Sequence, residues 1–167
     1  MRAVDGSVAD DIVGQLSSPV SKPCMFLLSV GGNDALGHLD MVLDTASDRS
    51  VGAILGAFHE IREEFRERYT RVLDLIVSHS QPLIVCTIYN PQFPEQDIQM
   101  LAETSLSFFN DVITEEALRR RLPIIDLREV CSEPEAFANP IEPSEVGGDL
   151  IADAILSHLS RSPTNAF

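Results

Sequence analysis

The chain has 167 residues, the size of one ordinary domain with room for a substantial buried core. Hydrophobic residues make up 44% and charged residues 23%, a globular balance, and no apolar run approaches the length of about 20 residues that a membrane span needs. The formal net charge of −14, from 26 acidic against 12 basic side chains, argues against a nucleic-acid partner.

The first residues, 1–6, lack the apolar core of a signal peptide, so the expected compartment is the cytoplasm. A strand is expected at residues 2–5 and a short helix at 8–16. Three nearly continuous apolar runs follow along the chain: MFLLSV at 25–30, LIVCTI at 83–88 and LPIIDL at 122–127. Continuous runs suit strands buried on both faces, as in a parallel sheet covered by helices. Pro23, Pro82 and Pro123 argue against helix at these places.

Residues 36–50 read as irregular, with one or two helical turns. From 51 to 77, Val51, Ile54, Leu55, Phe58, Phe65, Tyr69, Val72, Leu73 and Ile76 recur at spacings of three and four, one stripe of an amphipathic helix. Glu64 with Arg68, and Glu67 with Arg71, are i,i+4 pairs for its outer face. A second long helix is expected over 95–121. Pro94 would sit in its first turn, and Leu106, Phe109, Val112, Ile113 and Ala117 would face inward. It ends in Arg119, Arg120 and Arg121, the only basic run, which suits a helix C-terminus. A third helix over 144–159 would start at an N-cap Ser144 and bury Leu150, Ile151, Ala154 and Ile155. Strands alternating with helices predict an α/β domain with a parallel sheet and right-handed crossovers. The expected domain is 1–160, with 161–167 a flexible tail.

Cys24, Cys86 and Cys131 are odd in number and far apart, as reduced, mostly buried thiols would be. His38, His59, His79 and His158 form no H-x-x-x-H or H-x-x-E-H pattern, so neither a metal nor a cofactor is expected.

Functional loops of such a sheet lie beyond the carboxyl ends of its strands. One of these loops is Gly31-Gly32-Asn33-Asp34. Two glycines permit a tight turn, and the Asn33 amide could project into the cleft and donate to an oxyanion. The same four residues also make an ordinary turn. They contain neither a Walker lysine nor G-x-G-x-x-G spacing, which argues against a nucleotide-binding flavodoxin-like domain.

This Gly-x-Asn-Asp block, the segment Val4-Asp5-Gly6-Ser7, and Asn139-Pro140-Ile141-Glu142-Pro143-Ser144 before a Gly147-Gly148 helix together resemble SGNH (GDSL-type) hydrolases. The resemblance spans residues 4–159. It implies a three-layer α/β/α, flavodoxin-like fold with five parallel strands in the order 2-1-3-4-5. It further implies ester hydrolysis by acyl transfer on a small-molecule ester, with the Gly6 N–H and the Asn33 side chain as the oxyanion hole. Gly32, Asp34 and Tyr89 would contact substrate.

Two departures stand out. The family's Gly-Asp-Ser block, with the nucleophilic serine on its first strand, has no counterpart after Val4, so the first strand is expected to be missing from this chain and the serine to lie upstream. Ser7 follows the glycine block and fits the start of a helix better than the role of nucleophile. In the last block the family's Asp-x-x-His is replaced by Asn139-Pro140-Ile141-Glu142. Imidazole suits proton transfer at neutral pH; a carboxylate does so only if burial raises its pKa. Glu142 is thus either a modified base oriented by Asn139 or a helix-start carboxylate. His38, the histidine nearest a functional loop, has the ordinary reading of a loop residue. The alternative to a hydrolase is a catalytically inactive relative that keeps the cleft for binding. Loss of a central strand would also leave an open interior edge, an aggregation hazard.

Overall fold

The computed structural model describes residues 2–18, 24–44 and 48–161. The C-terminal tail expected to be flexible lies outside them, except that Arg161 closes the last helix. Three strands, β1 (Phe26–Leu28), β2 (Leu83–Cys86) and β3 (Ile124–Ile125), form a parallel sheet in the order β1-β2-β3. Phe26 pairs with Leu83 and Leu28 with Val85, while Cys86 pairs with Ile125. All four residues of β2 are buried, which is why its run is continuously apolar. Alternate residues serve the two faces: Leu83 and Val85 join one core cluster, Ile84 and Cys86 the other.

Helices cover both faces. α1 (Asp11–Gln15) is followed after β1 by α2 (Gly32–Leu36), α3 (Leu39–Leu43) and the long α4 (Val51–Ser78). The Ser50 hydroxyl caps α4 by accepting the Ala53 N–H at 3.2 Å. α5 (Gln96–Arg119) packs beside α4, and Phe65, Tyr69, Val72, Phe109, Val112 and Ile113 from the two helices fill the first cluster. α6 (Leu127–Val130) and α7 (Glu145–Arg161) cover the other face, with Ile151, Ala154 and Ile155 against Ile84 and Cys86. Ser144 caps α7 by accepting the Gly147 N–H at 3.2 Å. An ionic cluster ties α4 to α5: the Glu116 carboxylate, 4% exposed, receives Arg66, Arg119 and Arg120. Burial alone would raise its pKa, but hydrogen bonds from Arg120 and Arg66 outweigh that and hold it below the ordinary value.

Several expectations are corrected. Residues 2–5 form no strand; they run as loop and turn, because no neighbouring backbone among the described residues pairs with them. The run at 122–127 supplies only two strand residues, since Asp126 accepts the Arg128 N–H at 3.1 Å and starts α6. Pro94 precedes α5, whose N-cap is Glu95. Val51, Ile54 and Leu55 are exposed, as is Leu150, so the buried stripes of α4 and α7 are shorter than their apolar patterns. Arg68 pairs with Glu64 at 3.2 Å, but Arg71 pairs with Asp10 instead of Glu67. A two-stranded antiparallel hairpin, β4 (Phe137–Asn139) with β5 (Glu142–Pro143), was not anticipated. One edge of the sheet is β1, where Leu27 is 42% exposed, and the other is β3. No described helix is long and apolar enough to cross a membrane.

Candidate functional site

A cavity of about 320 Å³ opens beyond the carboxyl ends of β1 and β2. It is bounded by the loops that follow those strands, by α2 to α5, and by the β4–β5 hairpin. Its floor on the β1 side depends on Gly31. That residue adopts φ +120°, and a Cβ there would lie 2.9 Å from Phe65 Cζ. Only glycine combines that backbone with that proximity, so Gly31 sets the direction in which α2 leaves the strand.

Gly32 and Asn33 line the cavity. One amide proton of Asn33 is already engaged, because Nδ2 donates to the Ser7 carbonyl at 3.0 Å. The neighbouring Asp34 does not line the cavity. Its side chain is 2% exposed and accepts the Ala9 N–H at 2.9 Å, with Arg68 4.0 Å from the other oxygen. Burial pushes the Asp34 carboxyl up, against the opposing effects of the Ala9 hydrogen bond and Arg68. Asn33 and Asp34 thus clamp residues 7–9 onto α2.

Gly6, with φ +74°, also stays outside the main cavity and lines a shallower groove next to it. Its N–H donates to the Asp5 carboxylate of the same turn at 2.9 Å. Asp5 borders both the groove and the cavity. Ser7 receives the Gln15 amide at 2.9 Å on its hydroxyl, so it is engaged within the N-terminal segment.

Asn139 and Glu142 face each other across the tip of the hairpin. Asn139 Nδ2 donates to the Glu142 carboxylate at 2.6 Å, and Asn139 Oδ1 accepts the N–H groups of Ile141 and Glu142 at 3.0 Å each. The asparagine therefore builds the turn. Glu142 and Ile141 line the cavity and Asn139 does not. Tyr89 lines it as well, and its hydroxyl donates to the Ile141 carbonyl at 2.9 Å, with its ring edge-on to Phe137 at 5.5 Å. Burial first, then Cys131 and Glu142, pushes the Tyr89 phenol up, so it stays a donor that pins the hairpin over the cavity. His38 is also a lining residue, tilted against Phe109 at 6.4 Å.

Further residues have roles that the sequence reading did not assign. Asn110, buried on α5, brackets the backbone just past β2: it accepts the Ile88 N–H at 2.7 Å and donates to the Ile88 carbonyl at 2.9 Å. It takes the place of a sheet neighbour where pairing ends and holds Ile88 and Tyr89 in position. A buried asparagine in an otherwise apolar helix stripe is the one sequence signal for it. Ser29 lines the cavity with a hydroxyl that has no hydrogen-bond partner among the described residues. Thr87, also a lining residue, donates to Asp126 at 2.8 Å and accepts the Leu127 N–H at 2.9 Å.

Asp126 is held down to about 2, chiefly by the Arg128 hydrogen bond and against burial, with Thr87 assisting. A carboxylate with a depressed folded pKa stabilises the fold above its unfolded value of 3.8 and loses that contribution as pH falls toward the folded value. Denaturant midpoints are therefore expected to fall between about pH 4 and pH 2, and Asp126→Asn should flatten that part of the curve. An unchanged acid limb in the variant would show that Asp126 does not contribute. Among the described residues, no group of three His, Cys, Asp or Glu side chains is placed to hold a metal ion.

No protein-family model matches the sequence, and no curated protein is significantly similar to it. Solved structures are similar in fold. An acetyl xylan esterase superposes with a TM-score of 0.67 at 15% identity, over 93% of this chain and 78% of that one. A phospholipase A1 from Streptomyces albidoflavus gives 0.65 at 13% identity, over 91% and 76%. A member of the lipolytic G-D-S-L family from Veillonella parvula gives 0.65 at 17% identity, over 94% and 77%. The parallel order β1-β2-β3, the helices on both faces and these superpositions agree: the chain has the α/β fold of the SGNH (GDSL-type) hydrolases.

Proposed function

We propose that this chain is the oxyanion-binding and substrate-binding part of an SGNH-type ester hydrolase. The observation that carries the reading is Asn33. It lines a cavity at the carboxyl end of a parallel strand, in a fold whose solved neighbours include esterases and lipases. The Asn33 amide has two protons, and the Ser7 carbonyl takes one. The second is the donor for the carbonyl oxygen of an ester as it gains charge. The Gly6 N–H is the second donor once Asp5 releases it. Gly32 and Tyr89 contact substrate, while Asp34 acts indirectly by holding residues 7–9 against α2.

The reaction needs a nucleophile, which we place on a Gly-Asp-Ser strand preceding Val4. That strand would pair with the outer edge of β1. Glu142, oriented by the Asn139 amide, stands at the acid–base position, but it is exposed, so the burial that a carboxylate base needs is absent there. The test is turnover of a short-chain aryl ester by the full-length protein and its loss in Asn33→Ala.

A second reading, a cleft that binds without turnover, is favoured by one specific observation. Both oxyanion donors have internal partners: Gly6 faces a carboxylate and Asn33 a carbonyl. Absence of any esterase activity in the full-length protein, with ligand binding retained, would select it.

A further inference from the structure

The cavity is two-sided in chemistry. Most of its polar groups, Asp5, Ser29, Asn33 and Glu142 among them, sit on loops, at the start of α2 and on the hairpin. The helices α2 to α5 supply apolar side chains: Leu36, Leu39, Val42, Phe58, Ile61 and Leu106. Most of these are only half-buried, and Leu36 is 36% exposed, although helices surround them. Leaving concave apolar surface in water is unfavourable by roughly 25 cal/mol per Å². A concave apolar pocket with a few convergent polar groups is the ordinary form of a small-molecule site.

Size and charge narrow the occupant. A methylene fills about the volume of one water molecule, roughly 30 Å³, so 320 Å³ holds on the order of ten such groups. Among the described residues, the lining includes the carboxylates Asp5 and Glu142 and no lysine or arginine. An anionic head group would meet those carboxylates without a cation to balance it. Resting on the ester-hydrolase reading above, we infer that the cavity holds the aliphatic chain of an uncharged, medium-chain acyl ester of about six to ten carbons. The chain lies along Leu39, Val42, Phe58 and Ile61, and the ester carbonyl meets Asn33. An acetyl group would leave most of that wall wet.

Calorimetric titration of the full chain with straight-chain alcohols from butan-1-ol to dodecan-1-ol tests this directly. Affinity should rise about threefold to fourfold for each added methylene, level off near ten carbons, and then stop improving. Octanoate at pH 8 should bind at least about tenfold more weakly than octan-1-ol, with the gap narrowing in high salt. Ala102 lines the cavity from α5. Ala102→Phe should lower octan-1-ol affinity about 30-fold or more while butan-1-ol is affected less. Val42→Phe, from the opposite helix pair, gives the same readout should the first variant not fold. Affinity that is flat with chain length, octanoate binding as tightly as octan-1-ol, or undiminished binding in a folded filled variant would overturn the assignment. Chain-length-dependent binding, with no ester turnover by the full-length protein, keeps the pocket and removes the hydrolase reading. Turnover of an acetyl ester with no response to chain length keeps the hydrolase and removes the pocket.

Discussion

Asn33→Ala is expected to lower kcat for a short aryl ester by about 10²–10³-fold, the usual effect of removing one oxyanion donor. The change should fall on kcat rather than KM, because the donor meets charge that develops only on the way to the tetrahedral intermediate. Asn33 also has a structural task, donating to the Ser7 carbonyl at 3.0 Å. Losing a half-buried hydrogen bond costs about 1 kcal/mol, which lowers Tm by roughly 2–4 °C in a chain of this size. The two roles therefore separate in magnitude. A large rate loss with a small melting shift supports the oxyanion role. A rate that falls only as far as the folded fraction would leave Asn33 as a tether of the 7–9 segment. Asp5→Ala offers an independent view of the same hole. Removing the carboxylate frees the Gly6 N–H and should raise kcat rather than lower it.

The largest expected effect on stability comes from adjacent glycines in the first turn of α7. A Cβ on Gly147 would stand 2.1 Å from the Ala136 carbonyl oxygen and 3.2 Å from Pro143 Cβ. That oxygen cannot simply move, since it accepts the Ser144 N–H at 2.8 Å and Ala136 is buried. Gly147→Ala should therefore cost about 3 kcal/mol, the upper range for overpacking, and lower Tm by about 6–12 °C. A Cβ on Gly148 would have nothing within 4 Å, so the same substitution one residue later meets open space. Gly148→Ala should stabilise by up to about 1 kcal/mol through helix propensity. Differential scanning calorimetry on the pair checks both signs. Equal melting temperatures would mean that α7 packs against the hairpin less closely than the geometry requires. The functional consequence also differs: only Gly147→Ala pushes on the segment that carries Glu142 into the cavity.

The sequence by itself determined the three strands of the parallel sheet and the long helices, for a local reason. β2 is buried on both faces, so its residues are all apolar, and α4 and α5 bury one side, so their apolar residues recur every three or four positions. It also located the sharp change of direction at Gly31 and the cap at Ser144, because each is written in a few adjacent residues, although Gly32 to Asp34, expected as a turn, form the first turn of α2. The order and spacing of short blocks then pointed to the fold.

Tertiary structure decided what those blocks touch. Asp34 turns from the cavity to the Ala9 N–H, 25 residues away, and Asn110 reaches back 22 residues to bracket Ile88. The Gly6 N–H is occupied by its own neighbour, a matter of side-chain rotamer that no pattern encodes. The apolar wall at Leu39, Val42, Phe58 and Ile61 is assembled from helices that periodicity places separately and only packing brings together. A strand is expected at residues 2–5, yet a strand exists only where another backbone offers the matching hydrogen bonds, and among the described residues none does.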